Sequence, residues 1–139
     1  MNNTSISLEQ RLAKASELRA NGYNCAQTVL MVFNDATGLD SDLAAHICAG
    51  LGGGVGALGE ICGVVTALAI AEGMLSYSST ADKADTYRKV KTLASRFSEM
   101  NCNKLRCRDL KGADCRRPCN DLIADGIRIL HEHISTTEK

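Results

Sequence analysis

The sequence predicts an all-α protein, a single domain of residues 1–139 that folds as a bundle of about six helices. Apolar residues recur at helical spacing through most of the chain, and helix-capping residues precede several of these runs. No pair of segments has the apolar and polar alternation of paired β-strands. With 45% hydrophobic residues and a single proline, the composition is that of a globular chain rather than a disordered one.

Capping residues mark the predicted helix starts in the first third of the chain. Ser, Asp and Asn favour such positions because their side-chain oxygen accepts a free backbone N–H of the first turn. Caps of this kind are predicted at Ser7, Asn24 and Asp40 or Ser41. Gly22 is expected to end the first helix, and the second is expected to end near Gly38.

A glycine-rich loop is followed by the most apolar segment of the chain. Residues 50–59 contain six of the twelve glycines. Because glycine has no side chain, this segment can approach another group closely, and we expect it to pack closely around Cys62. Residues 61–75 are apolar on nearly all sides, so they are predicted to form the buried central helix. This segment is shorter than the roughly twenty residues that a bilayer requires, and we expect no membrane insertion.

Two further helices are predicted in the C-terminal half. Ser79 with Asp82 is a capping signature before a long amphipathic helix that reaches about residue 100. Residues 101–117, with six basic and two acidic side chains, are predicted to form a positively charged loop. Pro118 suits the first turn of the last helix.

The charge balance and the cysteines limit the classes of function. Sixteen basic residues balance sixteen acidic ones, and the few aromatic residues include no tryptophan, so no nucleic-acid partner is expected. The N-terminal segment lacks the apolar core of a secretory signal, and we interpret the protein as cytoplasmic. In a reducing compartment, seven cysteines indicate metal, cluster or redox chemistry more often than structural disulfides.

Three cysteines are predicted to lie in the first turn of a helix. Cys25 follows the Asn24 cap, Cys62 follows the glycine-rich loop, and Cys119 follows Pro118. The helix dipole and the free backbone N–H groups at such positions favour the thiolate, which is the form that attacks disulfides and binds metals. The structural alternative is that these cysteines are small apolar groups that fill helix interfaces.

Three further cysteines lie in the basic loop, which Cys119 follows. Cys102, Cys107, Cys115 and Cys119 are spaced unlike the ligands of a zinc ribbon or of common ferredoxins. Six basic side chains lie among them, and the arginines at 106, 108, 116 and 117 are expected to lower the pKa of Cys107 and Cys119. The alternative is an ordinary solvated loop.

The segment Gly-Glu-Ile-Cys62-Gly63-Val64-Val65-Thr66-Ala67, preceded by the glycines and by Asn24-Cys25-Ala26-Gln27, resembles the redox-active family named C_GCAxxG_C_C. The resemblance extends from Tyr23 to the last helix. It places the four defining cysteines of that family at Cys25, Cys62, Cys107 in Leu-Arg-Cys-Arg-Asp-Leu, and Cys119 in Cys-Asn-Asp-Leu-Ile. Val64 and Ala67 stand where the family has Ala and Gly, which enlarges a helix face expected to pack closely.

The resemblance implies a redox role with an unknown redox partner and no established substrate. The domain is also similar to the non-haem part of split-Soret cytochromes, which implies a helical homodimer and an iron–sulfur site. Haem is not expected, because the chain lacks the CxxCH attachment motif.

Three hypotheses follow for the cysteines. In the first, Cys25, Cys62, Cys107 and Cys119 converge on one site that binds an iron–sulfur cluster or cycles between dithiol and disulfide, with Cys102 and Cys115 as accessory ligands. Cys62 is expected at the exposed or semi-exposed start of the central helix of residues 61–75. The second is a non-catalytic protein that binds zinc through these cysteines. The third is a helical interaction protein with structural thiols.

Overall fold

The computed structural model describes residues 6–137, which contain eight α-helices and no β-strand. This confirms the all-α class, although the predicted count of about six helices omits two single-turn helices, α3 and α7. The helices are α1 Leu8–Ala20, α2 Cys25–Met31, α3 Asn34–Thr37, α4 Ser41–Cys48, α5 Gly63–Ser76, α6 Lys83–Met100, α7 Cys107–Leu110 and α8 Cys119–Thr137. Short 3-10 turns occupy Ala49–Leu51 and Thr80–Asp82.

The predicted helix caps form. The Ser7 hydroxyl accepts the N–H of Gln10 at 3.1 Å, and the Gln10 side chain accepts the N–H of Ser7 in return. Asn24 and Gln27 make the same reciprocal pair of hydrogen bonds at the start of α2. At α4 the cap is Asp40, whose carboxylate accepts the N–H of Leu43 at 2.7 Å. These local bonds satisfy N–H groups that the helices themselves leave free.

The predicted second helix is shorter than expected. It ends at Met31, and a separate turn, α3, leads to Gly38, whose φ is +79°. The Val32 carbonyl accepts a hydrogen bond from the buried Arg11 guanidinium at 2.5 Å, and Phe33 donates its N–H to Leu30 three residues back. At this end of α2 the Val32 carbonyl is therefore satisfied by a side chain of α1 and not by a backbone N–H of a continuing helix.

The buried apolar side chains of the described residues form one cluster, and α2 and α5 lie at its centre. Helix α5 packs against α2, α6 and α8, and α2 also contacts α1 and α4. Buried side chains along α5 include Val64, Leu68 and Ala71, which confirms the predicted central helix. Among the described residues, no helix combines the length and the apolar character that crossing a bilayer would require.

Helix α8 accommodates the enlarged face of α5. Val64 is fully buried, and a Cβ atom added at Gly126 of α8 would lie 2.3 Å from its Cγ1. Real Cβ atoms do not approach other atoms this closely. The larger residue on α5 therefore packs into the space that a glycine leaves on α8.

Candidate thiol redox site

Cys25 and Cys62 meet where two packed helices begin. Cys25 is the first residue of α2, Cys62 is the N-cap of α5, and their thiols share a hydrogen bond. Gly63 makes this approach possible, since a Cβ atom there would lie 2.5 Å from the Cys25 Sγ and 3.2 Å from the Ala26 N. The packing of α2 on α5 thus brings together two cysteines that are distant in sequence.

The surroundings of the pair shift the two thiol pKa values in opposite directions, lowering that of Cys25 and raising that of Cys62. The hydrogen bond from Cys62, aided by the backbone N–H groups of Gly53 and Ala26, outweighs burial and lowers the pKa of Cys25 to about 6. The hydrogen bond to Cys25 and then burial raise the pKa of Cys62. At neutral pH the pair is therefore a Cys25 thiolate that accepts a hydrogen bond from the Cys62 thiol.

The glycine-rich loop passes directly over Cys25. Gly53 and Gly54 have φ values of +67° and +74°, a region that L side chains rarely adopt. A Cβ atom at Gly54 would lie 2.5 Å from the backbone N and O of Glu60. The loop is closed by the N–H groups of Gly59 and Glu60, which donate to the carbonyls of Gly53 and Gly54 at 3.0 Å. The glycines therefore allow a tight coil that presents a backbone N–H to the thiolate.

The predicted exposed or semi-exposed position of Cys62 is wrong. Cys62 is 4% exposed and Cys25 is 8% exposed. The Cys62 N–H donates to the Leu105 carbonyl at 2.8 Å, so a segment of the basic loop covers the start of α5. Sequence periodicity gave no signal for this cover, because the contact joins distant segments.

Cys107 and Cys119 lie near this pair and are half-buried. Each is the first residue of its helix, as predicted for Cys119. Burial, followed by the charges of Cys119 and Cys25, raises the pKa of Cys107, which places the three sulfurs within electrostatic range of one another. The Lys111 ammonium donates to the Cys119 Sγ at 3.0 Å, and this hydrogen bond raises the pKa of Lys111.

The expected activation of Cys107 by arginines is wrong. Arg106 and Arg108 both pair with Glu60, at 2.9 and 3.0 Å, and Arg117 binds Asn101 and Asp125. Because these guanidinium groups are bound by other partners, burial dominates at Cys107. The basic side chain that does contact a predicted cysteine is Lys111, and its charge in the same loop was the available sequence signal.

Cys102 and Cys115 form a disulfide, with Cα atoms 6.0 Å apart. This overturns their expected role as accessory metal ligands, since joined sulfurs are not free thiolates. The cysteine content had favoured metal, cluster or redox chemistry over structural disulfides, so this disulfide was not expected. The seventh cysteine, Cys48, is fully buried at the end of α4, and burial raises its pKa to about 11.

Cys25 and Cys62 share a hydrogen bond, whereas Cys107 interacts with Cys119 and Cys25 through their charges. Within residues 6–137, no three side chains among His, Cys, Asp and Glu are grouped so that they could hold a metal ion. A structural zinc ion or an iron–sulfur cluster takes about four protein ligands. Cys25 and Cys62, which share a hydrogen bond, would supply two such ligands. Iron–sulfur and zinc binding stay predictions.

A comparison with protein-family models gives one match over most of the chain. The model described as "Putative redox-active protein (C_GCAxxG_C_C)" matches residues 23–133. All four cysteines considered above, and the glycine-rich loop, fall within the matched segment. No curated protein and no solved structure matches the chain.

Proposed function

Since the chain belongs to the C_GCAxxG_C_C family of redox-active proteins, we propose that its activity is thiol–disulfide exchange at Cys25 and Cys62. The observation that carries the proposal is the thiolate–thiol pair at the starts of α2 and α5. A thiolate is the attacking species in this exchange, and a neighbouring thiol is needed to resolve the mixed disulfide. The two cysteines have these complementary states.

The proposed reaction has two steps. The Cys25 thiolate attacks one sulfur of a substrate disulfide, which forms a mixed disulfide and releases the other sulfur as a thiolate. Cys62 then transfers its proton to the released thiolate and attacks the Cys25 sulfur. This forms the Cys25–Cys62 disulfide and releases the second substrate sulfur as a thiolate. Two electrons pass from the protein to the substrate, and an external dithiol reverses the change.

The backbone around Cys25 supports its role as the attacking group. The N–H of Gly53 and the N–H of Ala26 both point to its sulfur, and both lower its pKa. A pKa near the ambient pH gives a large thiolate fraction without much loss of nucleophilicity. Cys62 lacks this ionisation in the reduced pair, so we assign it the resolving role.

The proposal is tested by the pH dependence of alkylation on reduced, metal-free protein, with the modified peptides identified by mass spectrometry. For Cys25 we expect a rate profile with a midpoint near pH 6 in the wild-type protein. In Cys62→Ala the midpoint should move up towards the ordinary thiol value of about 8.5, because the hydrogen bond is lost. Cys48→Ala is the matched control, since this buried thiol does not donate to Cys25, and the midpoint should not rise.

A second measurement identifies the product of oxidation. Treating the reduced Cys102→Ser, Cys115→Ser double variant, which cannot re-form the disulfide at those positions, with one equivalent of a small disulfide should give the Cys25–Cys62 disulfide as the main new crosslink. A Cys25 midpoint at or above that of a free thiol, or crosslinks that avoid this pair, would contradict the proposal. If metal analysis and an anaerobic visible spectrum instead show a stoichiometric zinc ion or cluster on these cysteines, ligation becomes the better account.

A further inference from the structure

The Cys102–Cys115 disulfide closes a loop whose middle covers the proposed redox pair. Within this loop, the Leu105 carbonyl accepts the Cys62 N–H at 2.8 Å. Cys107 donates its N–H to the Glu60 carbonyl at 2.7 Å, and Ile61 and Arg106 form an antiparallel bridge. The disulfide-closed segment therefore lies along residues 60–62, directly before α5.

The backbone at both ends of this loop has an unusual conformation. Cys102, Asn103 and Arg116 have φ values of +62°, +59° and +57°. Non-glycine residues adopt this left-handed region at a cost and keep it where the surrounding structure constrains them. Each of the three is either a half-cystine or adjacent to one, so the disulfide supplies part of that constraint.

Apart from the disulfide, residues 102–106 are held by backbone hydrogen bonds and surface ion pairs, and none of their side chains is fully buried. The N–H groups of Asn103 and Lys104 donate to the carbonyls of Ser98 and Asn101 at 2.9 and 3.1 Å. Arg106 and Arg108 reach Glu60 through ion pairs whose side chains are about half exposed, and such pairs contribute little. Leu110 is fully buried and holds the far end of the loop in the core. Loss of the disulfide would thus loosen residues 102–106 while α7 stays in place.

The two sulfur pairs differ in their access to solvent. Cys102 is exposed and Cys115 is half-buried, whereas Cys25 and Cys62 are buried. An external reductant in solution therefore reaches the disulfide before it reaches the proposed redox pair. A disulfide that regulates the redox pair has to react with the reductant before the pair does, and this order of access allows it.

We propose that the Cys102–Cys115 disulfide is a reducible clamp, and that its reduction uncovers the Cys25–Cys62 pair. A dithiol reductant supplies two electrons and two protons, becomes a disulfide itself, and leaves Cys102 and Cys115 as thiols. Residues 102–106 then release the start of α5, and substrate reaches the buried thiolate. This proposal rests on the proposed function only in the role given to Cys25 and Cys62; the opening of residues 102–106 does not depend on it.

Hydrogen exchange tests the clamp independently of any thiol chemistry. The probes are the backbone amides of Cys62 and Cys107, which donate to the carbonyls of Leu105 and Glu60 respectively across the covered contact. In the Cys102→Ser, Cys115→Ser double variant, exchange at both amides should be faster by about tenfold or more, because exchange requires local opening. Cys48→Ser, at a buried cysteine outside the loop, is the control and should leave both rates unchanged.

Alkylation of Cys25 at pH 7 is the second readout. It should be about tenfold faster in the double variant than in wild-type protein that holds the Cys102–Cys115 disulfide, for the same reason of local opening. Should the double variant fail to fold, wild-type protein in which a limiting water-soluble reductant has opened this disulfide replaces it in both measurements.

The outcomes separate the two proposals. Unchanged exchange at both amides without the disulfide would overturn the clamp, whatever the reactivity of Cys25. Faster exchange combined with an inert Cys25 would leave the clamp standing as an opening device and would overturn the proposed function. Faster exchange with faster alkylation supports both.

Discussion

Gly63 determines whether the two sulfurs of the candidate site can meet. Its Cα hydrogen faces the Cys25 sulfur, and a methyl group in its place would overlap with that sulfur and press on the backbone of α2. Gly73, ten residues later on the same helix, has open space where a side chain would be. One helix therefore contains a glycine that tertiary packing requires and another that it does not.

We expect Gly63→Ala to lower the free energy of unfolding by about 1–3 kcal/mol, the usual cost of overpacking a close contact. The same substitution at Gly73 should raise it by about 0.5–1 kcal/mol, because alanine is the better helix former. Urea unfolding of the two variants checks both signs. If Gly63→Ala is as stable as Gly73→Ala, the close contact with Cys25 is not present in solution.

At the scale of elements, the contact between α5 and α8 depends on a complementary pair of residues. Val64 projects into the space above Gly126, which has no side chain of its own. Both residues are buried, so neither can move into solvent to relieve a clash. The side-chain size that fits at position 64 of α5 therefore depends on the residue at position 126 of α8, although the two helices are distant in sequence.

A double-mutant cycle measures this dependence. Gly126→Ala alone should cost about 1–3 kcal/mol through overpacking, and Val64→Ala alone should cost a similar amount through lost burial. Combined, they should cost less than the sum by about 0.5–3 kcal/mol, because each relieves the defect of the other. Val64→Ala combined with Gly73→Ala is the control and should be additive. Additivity in the first cycle would contradict the packing described here.

At the scale of the whole molecule, buried polar groups join helices that are distant in sequence. Arg11, 1% exposed, binds Asp35 through both carboxylate oxygens and donates from Nε to the Nδ1 of His131 at 3.1 Å. Glu72 of α5, also buried, accepts from Ser76 and pairs with His133 of α8. These contacts connect α1, α3, α5 and α8, and all of them depend on protonation states.

We expect the protein to lose stability as the pH falls, in two stages. Burial and then the Arg11 charge lower the pKa of His131, so below its ordinary value of about 6.5 the unfolded chain binds the proton more readily and stability decreases. Although burial opposes it, the hydrogen bonds of Arg11 and of His133 lower the pKa of Asp35 and Glu72 respectively. Their stabilisation is present above about pH 4 and is lost below it.

Unfolding free energies from urea titrations at pH 7.5, 5.5, 4 and 3 check this expectation. His131→Asn should flatten the change between pH 7.5 and 5.5, because it removes the titrating group. His46→Asn, at an exposed position on α4, should leave that change as in the wild type. A stability that rises between pH 7.5 and 5.5 would contradict the assigned sign.

The sequence predicted what depends on neighbouring residues. The caps at Ser7, Asn24 and Asp40 and the cysteines at helix starts were confirmed because capping needs only a side chain and an N–H two or three residues away. The all-α class followed from apolar periodicity, which is also a local property. The burial of Cys62 was missed, because the Leu105 carbonyl that covers it lies in a distant loop.

By itself the sequence determined the helices, the position of the glycine-rich loop and the four cysteines that the family shares. Only the tertiary structure decided which sulfurs pair, which thiol is the anion and which basic side chain reaches a cysteine. Cys25 is ionised through Cys62 and Gly53, Lys111 takes the place expected for arginines, and Cys102 is joined to Cys115. The reason is physical: hydrogen bonds and charges act across a few ångströms of space, and folding, not chain order, sets those distances.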